Sequence, residues 1–475
     1  VSWPSIKSIA NDVNSGKTTA KSLVDQALKN IESSSDYDAI ISVIKERAYA
    51  RAEEIDAQVK SGKQAGKLAG VPFIAKDNFL VFGNKTTAAS NMLKDFDAPY
   101  QSTAINRLEA EGAICVGKSN LDAFGHGSST ENSDFMITKN PHDVTRVPGG
   151  SSGGSAASIS LQLVPFSIAT DTGGSIRMPA SFCGVVGFKP TYGLVSRSGV
   201  IAMISSTDTL GPIANNVEDA SLVIEVMSGK DELDSTTIDL DDNNIASLDA
   251  PLPHPRIGII KEYLDQGLEP DVKANIESVI AKLKDSGAEI EEVSIPSLPL
   301  SLAVYYVLCP AEVASNLSRY DGQKFGYHEK DAKNLEESYK KSRSNGFGKE
   351  AKRRIMIGTY VLSSGYYDAY YKKAQIIRTK IIDEFNQTFK KYDFLIGPTT
   401  ATTAFKIGEH SSDPLSMYLT DIMTVAVNLA GIPAISLPSG FDSKHLPLAV
   451  QLMAPQRQDK KLLSYAKQIE GLIVK

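Results

Sequence analysis

The residues best suited to chemistry crowd into one stretch, Pro148 to Ser175. It reads Pro-Gly-Gly-Ser-Ser-Gly-Gly-Ser, then an Ala/Ser/Ile-rich run, then Asp171-Thr172-Gly173-Gly174-Ser175. Its glycines permit positive φ and let backbone approach a ligand closely. Successive backbone N–H groups in such a turn form a concave donor site for an anion. A serine hydroxyl at the end of that nest, Ser175, is placed to act as a nucleophile. A flexible Gly/Ser linker would run on as a polar tract, whereas here the glycine clusters flank an apolar run.

A serine nucleophile needs a group that removes its proton. None of the histidines (His126, His142, His254, His328, His410, His445) stands in a setting that suggests a catalytic base. Lysine is the next candidate, provided burial or a positive neighbour lowers its pKa. Lys76 closes the apolar run Val71-Pro72-Phe73-Ile74-Ala75 and is one of the few lysines in an apolar setting. Two other patterns are decoys. Gly112-Ala-Ile-Cys-Val-Gly117-Lys118-Ser119 fits a phosphate loop, but Ala-Ile-Cys-Val favours a strand where a cradle is needed, and a helix precedes it. Gly149-Gly150-Ser151-Ser152-Gly153 fits G-x-S-x-G, but the residues before it do not read as the buried strand of a nucleophile elbow. No His/Asp/Glu cluster has the spacing of metal ligands.

Composition sets the outer limits. The 475 residues are 42% apolar and 22% charged, which suits a globular protein with a large core, either of two or three domains or of one large α/β domain. A net charge of −6 without a basic patch argues against tight nucleic-acid binding by this chain alone. The three cysteines, Cys115, Cys183 and Cys309, are odd in number and form no C-x-x-C pair, which argues against a disulfide framework and fits a reducing compartment. No uninterrupted apolar run reaches roughly 18 residues, so no membrane span is expected. Val1-Ser2-Trp3-Pro4 carries neither a signal-peptide nor a transit-peptide pattern. The chain opens without Met, which leaves a segment before Val1 open.

The elements that must position these residues follow from periodicity. Residues 5–60 read as helices, with Thr18-Thr19 capping the repeat Leu23, Val24, Ala27, Leu28, Ile31. Strands are predicted at 70–77, 113–117 and 163–169, alternating with a helix at 103–112, which indicates a mostly parallel sheet. The stretch 229–255, with Asp231, Glu232, Asp234, Asp239, Asp241 and Asp242, reads as an acidic surface excursion or boundary. A β-α-β unit follows at 256–295, then a long helical region near 349–390. Strands at 394–396, 434–437 and 448–453 and a last helix close the chain.

Lys76, Ser151 and Ser175, with Gly-Gly-Ser-Ser-Gly-Gly and Asp-Thr-Gly-Gly-Ser-Ile-Arg, resemble the amidase signature family, including the spacing of 75 and 24 residues between the three. The resemblance implies an α/β amidase-signature fold: a mixed, mostly parallel central sheet covered by helices on both faces. N-terminal helices over 1–65 would pack on an amidase domain over 66–475. A helical insertion near 300–390 would build the substrate pocket. It also implies a Lys–Ser–Ser triad. Ser175 attacks an amide carbonyl, and Ser151, on a cis peptide bond after Gly150, relays a proton to neutral Lys76. The amides of Thr172, Gly173, Gly174 and Ser175 form the oxyanion hole.

Ser318-Arg-Tyr-Asp-Gly322, Gly346-Phe-Gly-Lys-Glu-Ala-Lys-Arg-Arg-Ile355 and Leu362-Ser-Ser-Gly-Tyr-Tyr-Asp-Ala-Tyr-Tyr371 narrow the resemblance to the glutaminase subunits of tRNA-dependent amidotransferases. By that resemblance the substrate is glutamine. Arg354 holds its α-carboxylate and Asp421 its α-amino group, Tyr305 adds a contact, and Ser128 lies in a loop near the pocket. The resemblance further implies a cytoplasmic heterotrimer with a tRNA-binding kinase/transamidase subunit and a small belt subunit. Mischarged tRNA would be held mainly by the partner, and ATP and magnesium would be used there, with no cofactor on this chain. Taken without the resemblance, Arg354 reads as a surface helix charge beside Lys352 and Arg353. Ala123, Gly125, His126 and Met178 depart from the residues more common in the family. A stand-alone amidase acting on another small amide, and a catalytically silent scaffold, stay open as rival readings.

Overall fold

The computed structural model describes residues 2–240, 244–248, 250–265, 267–411 and 413–473; Asp241 and Asp242 of the acidic stretch lie outside the described residues. The strands are β1 (Ile40–Val43), β2 (Pro72–Lys76), β3 (Ile114–Ser119), β4 (Phe166–Asp171), β5 (Val186–Lys189), β6 (Thr209–Ala214), β7 (Arg256–Ile260), β8 (Glu289–Val293), β9 (Phe394–Pro398), β10 (Ala434–Phe441) and β11 (Pro447–Met453). They form one 11-stranded sheet in the order β1-β3-β2-β4-β6-β5-β10-β11-β9-β7-β8. The molecule is an α/β protein built on a mixed sheet.

The balance of directions differs from the expected mostly parallel sheet. Parallel pairing is confined to β2 with β3 and β4, and β7 with β9 and β8. The other six neighbouring pairs are antiparallel. The short loop between β10 and β11, closed by Asp442 N–H to Leu446 O at 2.8 Å, makes a hairpin, which forces antiparallel pairing. Strands β5 and β6 escaped the sequence reading because Gly187, Gly211 and Pro212 read as strand breakers. Their pairing partners, which no local pattern shows, hold them in the sheet centre. Edge strand β1 was hidden inside the run read as helical.

Strand β2 illustrates why the site lies where it does. Pro72-Phe-Ile-Ala-Lys76 is wholly buried between parallel neighbours, as a near-continuous apolar run requires. The Phe73 and Phe166 rings stack at 5.2 Å across β2 and β4. Lys76 and Asp171 thus emerge together at the carboxyl ends of parallel strands, the usual ligand edge of such sheets. The phosphate-loop pattern resolves as β3, and its Lys118 pairs with buried Asp77 at 2.7 Å.

Helices flank the sheet. Thr19 caps the helix Ala20–Ser33 by accepting the Ser22 N–H at 3.2 Å, as its sequence suggests. A second apolar cluster lies under the helices Ser301–Asn316, Lys349–Val361 and Lys373–Thr388. The stretch Leu298–Arg319 is long and apolar enough by mean hydropathy to cross a membrane, but half of it is buried in this cluster, so it is a core helix. The acidic excursion is tied down in part. Asp231 accepts from the hydroxyls of Thr103 and Ser196, each at 2.6 Å, and Asp234 pairs with Arg197 at 3.2 Å.

Asp171 at the end of β4 joins the two halves of the sheet. Its carboxylate accepts from Arg177 Nε and Nη2, both at 3.0 Å, and from Asn428 Nδ2 at 2.9 Å; Arg177 Nη1 reaches Gln451 on β11 at 3.1 Å. Burial disfavours ionisation, but Arg177 outweighs it and holds Asp171 down at about 2. A depressed carboxyl pKa contributes stability above its unfolded value of roughly 3.9, lost as pH falls through the folded value. Asp171→Ala leaves Arg177 buried and uncompensated and should cost about 3–5 kcal/mol by urea unfolding at pH 7. The gap to wild type should shrink as pH is lowered from about 4 towards about 2.

Candidate active site

The Lys76 amine, fully buried at the end of β2, lies 2.7 Å from Ser151 Oγ, 2.8 Å from Ser152 Oγ and 3.0 Å from Thr170 Oγ1. All three partners are hydroxyls. Burial therefore dominates and lowers the lysine to about 7, against the opposing charges of Asp122, Asp171 and Asp208. Near neutral pH a large share of the amine is unprotonated and carries a lone pair.

Ser151 follows a cis peptide bond from Gly150. A Cβ on Gly150 would overlap the Asp122 carboxylate and the Ser129 amide, so only glycine fits. Gly125, one of the departures from the family pattern, leaves room on the other side; a Cβ there would lie 3.6 Å from Ser151 Oγ and 3.0 Å from Met203 Sδ. Ser175 is 8% exposed, and among the described residues no hydrogen bond engages its hydroxyl. The structure thus makes the Lys76–Ser151 contact and leaves a Ser151–Ser175 hydrogen bond unmade.

The turn before Ser175 is anchored on both sides. The Gly174 amide donates to Asp171 Oδ1 at 2.8 Å, and the Gly173 carbonyl accepts from Thr424 Oγ1 at 2.6 Å. Among the described residues the amides of Thr172, Gly173 and Ser175 have no partner. The expected donor set therefore loses Gly174, whose N–H is needed to fasten the turn to β4. Tyr305 packs against this turn: a Cβ on Gly173 would lie 2.7 Å from its hydroxyl oxygen.

Beyond the turn, a cavity of about 250 Å³ is lined by Asp122, His126, Glu350, Arg354 and Tyr418 among others, while Ser151 and Ser175 lie outside its lining. Asp122 is the wall common to both. Its carboxylate lies against Gly150 and accepts from the amides of Thr130 at 2.9 Å and Asn132 at 3.0 Å. Burial raises it to about 6. Arg354 is buried, unlike its neighbour Arg353, and is no surface charge. Its Nε donates to Glu350 at 2.9 Å and its Nη1 to Cys309 Sγ at 3.3 Å. Asp421 is buried too and accepts from Ser128 Oγ and Tyr306 Oη, each at 2.7 Å. Burial, partly offset by these donors, raises Asp421 to about 6.

Sequence reasoning missed several residues of this site. Ser152 and Thr170 surround the lysine, Tyr306 rather than Tyr305 bonds Asp421, and Glu350 and Tyr418 brace Arg354. The i, i+4 spacing of Glu350 and Arg354 on one helix was a legible signal; the others depend on contacts distant in sequence. Of the other departures, Ala123 sits in a short turn with Phe124 and Gly125, and Met178 is buried beside Val147 and Phe182. His126 is wholly buried with neither ring nitrogen hydrogen-bonded among the described residues. Burial first, and then the charge of Arg354, hold it well below the ordinary histidine pKa.

The chain belongs to the amidase family, whose model matches residues 22–463. The glutamyl-tRNA(Gln) amidotransferase A-subunit 2 of Clostridium acetobutylicum is 49% identical over 434 residues, covering 91% of each chain. The glutamyl-tRNA(Gln) amidotransferase A-subunit of Prochlorococcus marinus is 48% identical over 473 residues, covering 98% of each. The crystal structure of the corresponding glutamyl-tRNA(Gln) amidotransferase A-subunit from Thermotoga maritima superposes with a TM-score of 0.79 at 40% identity, covering 95% of this chain and 91% of that one.

The packing at Gly150 gives a direct test. Gly150→Ala must displace Asp122 or the 128–129 backbone, and should cost about 1–3 kcal/mol of stability. Thermal unfolding reads the loss, and a structure of the variant should show the Ser151–Lys76 contact broken.

Proposed function

We infer that this protein is the glutaminase subunit of a tRNA-dependent amidotransferase, releasing ammonia from glutamine through an ester on Ser175. One observation carries the chemistry: a buried lysine poised at about 7 touches Ser151. Beyond it stand a buried cation, Arg354, on the wall of the cavity, and a buried anion, Asp421, behind that wall and held by Ser128 and Tyr306. That charge pair suits a free α-amino acid and not a fatty or aryl amide. A guanidinium reads a carboxylate in a planar, bidentate manner.

Glutamine enters with its α-carboxylate on Arg354, its α-ammonium on Asp421 with Ser128 close by, and its side chain passing Tyr305 towards Ser175. Hydrogen bonds of a catalytic relay often close only in the substrate complex, and Ser175 then donates to Ser151. As the Ser175 oxygen bonds to the side-chain amide carbon, its proton passes to Ser151 and the Ser151 proton to the Lys76 lone pair. The amides of Thr172, Gly173 and Ser175 hold the oxyanion. Lys76 returns the proton through Ser151 to the leaving nitrogen, the C–N bond breaks, and ammonia departs. Water attacks the γ-glutamyl ester by the same route, giving glutamate and free Ser175.

The ammonia amidates Glu-tRNA(Gln), Asp-tRNA(Asn) or both on a tRNA-binding partner that uses ATP and magnesium. A small belt subunit completes a cytoplasmic heterotrimer. The net charge of −6 fits a division in which the partner grips the tRNA.

Ser175→Ala and Lys76→Ala should each lower glutamine hydrolysis by at least about 10³-fold with unchanged folding; near-normal turnover in either rules out the triad. Turnover of small aliphatic or aryl amides without turnover of glutamine would mark a stand-alone amidase instead. The base must be neutral, so kcat/KM should fall as pH drops below about 7. KM for glutamine should rise further as Asp421 is protonated below about 6. Steady-state kinetics between pH 5 and 9, a window of roughly two units on either side of the lysine value, separates these effects.

A further inference from the structure

The two charges proposed to read the substrate stand on different segments. Arg354 is on the helix Lys349–Val361, and Asp421 is in the turn that follows the short helix Pro414–Leu419. No direct bond joins them among the described residues. They are joined instead through two tyrosines. The Tyr306 hydroxyl donates to Asp421 Oδ2 at 2.7 Å. Its ring stacks on that of Tyr418, with centroids 4.0 Å apart and planes inclined by 21°. The Tyr418 hydroxyl donates to Glu350 Oε1 at 3.0 Å, the same oxygen that accepts from Arg354 Nε at 2.9 Å. The Arg354 guanidinium carbon lies 5.6 Å from the centre of each ring, within cation–π range of both. The path from anion to cation is thus closed: Asp421, Tyr306, Tyr418, Glu350, Arg354.

We propose that Tyr306 and Tyr418 are positioning residues that lock Asp421 and Arg354 at a fixed separation, so that the pocket measures the ammonium and carboxylate of one α-amino acid together. The proposal rests on the glutaminase reading above and deepens it. Each tyrosine serves one charge by its hydroxyl, and the stacked rings join the two halves. Both tyrosines are half-buried: Tyr306 packs at the rim of the apolar cluster and Tyr418 on the wall of the cavity. Their loss should therefore alter substrate selection before it alters folding. A tyrosine also suits the task because it has only two side-chain torsions to freeze. The helix Ser301–Asn316 carries Tyr305 against the Gly173 turn and Tyr306 into the clamp, so a single helix sets both the oxyanion turn and the selectivity pair.

Three substrates separate the roles: glutamine, 4-carbamoylbutanoate (which lacks the ammonium) and glutamine α-methyl ester (which lacks the carboxylate charge). They are assayed by ammonia release with the protein in its native assembly. Tyr306→Phe removes the bond to Asp421 and keeps the stack. It should raise KM for glutamine about ten-fold with kcat within about three-fold, and leave 4-carbamoylbutanoate unchanged, because a lost hydrogen bond to a charged group acts only where its partner charge is read. Tyr418→Phe should raise KM for glutamine and 4-carbamoylbutanoate and spare the methyl ester. Tyr306→Leu removes the stack and should weaken all three. An unchanged glutamine KM in Tyr306→Phe, or equal losses on glutamine and 4-carbamoylbutanoate, overturns the clamp. The unmutated protein tests the underlying reading separately: if it does not hydrolyse glutamine, the glutaminase assignment falls and the clamp falls with it.

Discussion

The buried amine of Lys76, surrounded by hydroxyls and kept from any carboxylate, is the constraint on which the rest of the site depends. Three acids lie close enough to act on it, yet each is occupied by other donors. Asp122 takes the amides of Thr130 and Asn132. Asp171 takes Arg177, Asn428 and the Gly174 amide. Asp208 takes the Thr172 hydroxyl and the amides of Met203 and Ile204. Were one of them to pair with Lys76 directly, the amine would return to an ordinary, fully protonated lysine and lose its use as a base. The same bonds that hold these acids away also shape the site. Asp171 fastens the nucleophile turn, Asp208 holds Thr172 beside it, and Asp122 lies against Gly150 ahead of Ser151.

The second half of the proposed site poses a related problem, because reading a zwitterion requires its two charges to stay ionised. Arg354 and Asp421 are buried, and burial disfavours both ions unless each is hydrogen-bonded. Glu350 supports the first, Ser128 and Tyr306 the second. Tyr305, from the apolar cluster beneath the helical region, touches the Gly173 turn that follows β4, and so brings the helical side against the end of the sheet. On the proposed reading, hydrolytic chemistry belongs to the sheet side and substrate selection to the helical side.

Much of this was readable in advance. The apolar run ending in Lys76 dictates a buried strand, and Thr19 and the β7–β8 unit follow from local pattern alone. The decoy at Gly112–Ser119 was recognisable as a strand because Ala-Ile-Cys-Val has no use in a phosphate cradle. Other features resisted. β6 carries Pro212 in a central position, β5 is four residues long, and neither has a periodicity that outweighs its glycines. Arg354 follows Lys352 and Arg353, and it is packing distant in sequence, with the helix Ser301–Asn316 against its own helix and the Tyr418 ring over its guanidinium, that covers it. The Gly174 amide looks like its neighbours in sequence, and its commitment to Asp171 is a matter of where one carboxylate points.

The sequence by itself determined the local chemical groups and their order: a lysine at the end of an apolar strand and two glycine-flanked serines, whereas the cation and anion far downstream were picked out only by family resemblance. It could do so because strand burial and glycine turns are properties of a few consecutive residues. The tertiary structure decided which groups meet and in what electrical state. It brought the hydroxyls of Ser151, Ser152 and Thr170 to one amine, committed Gly174 to the turn, ran the centre of the sheet antiparallel, and linked Asp421 to Arg354 through two tyrosines. Those outcomes depend on burial and on partners up to hundreds of residues apart, and burial is a property of the assembled fold.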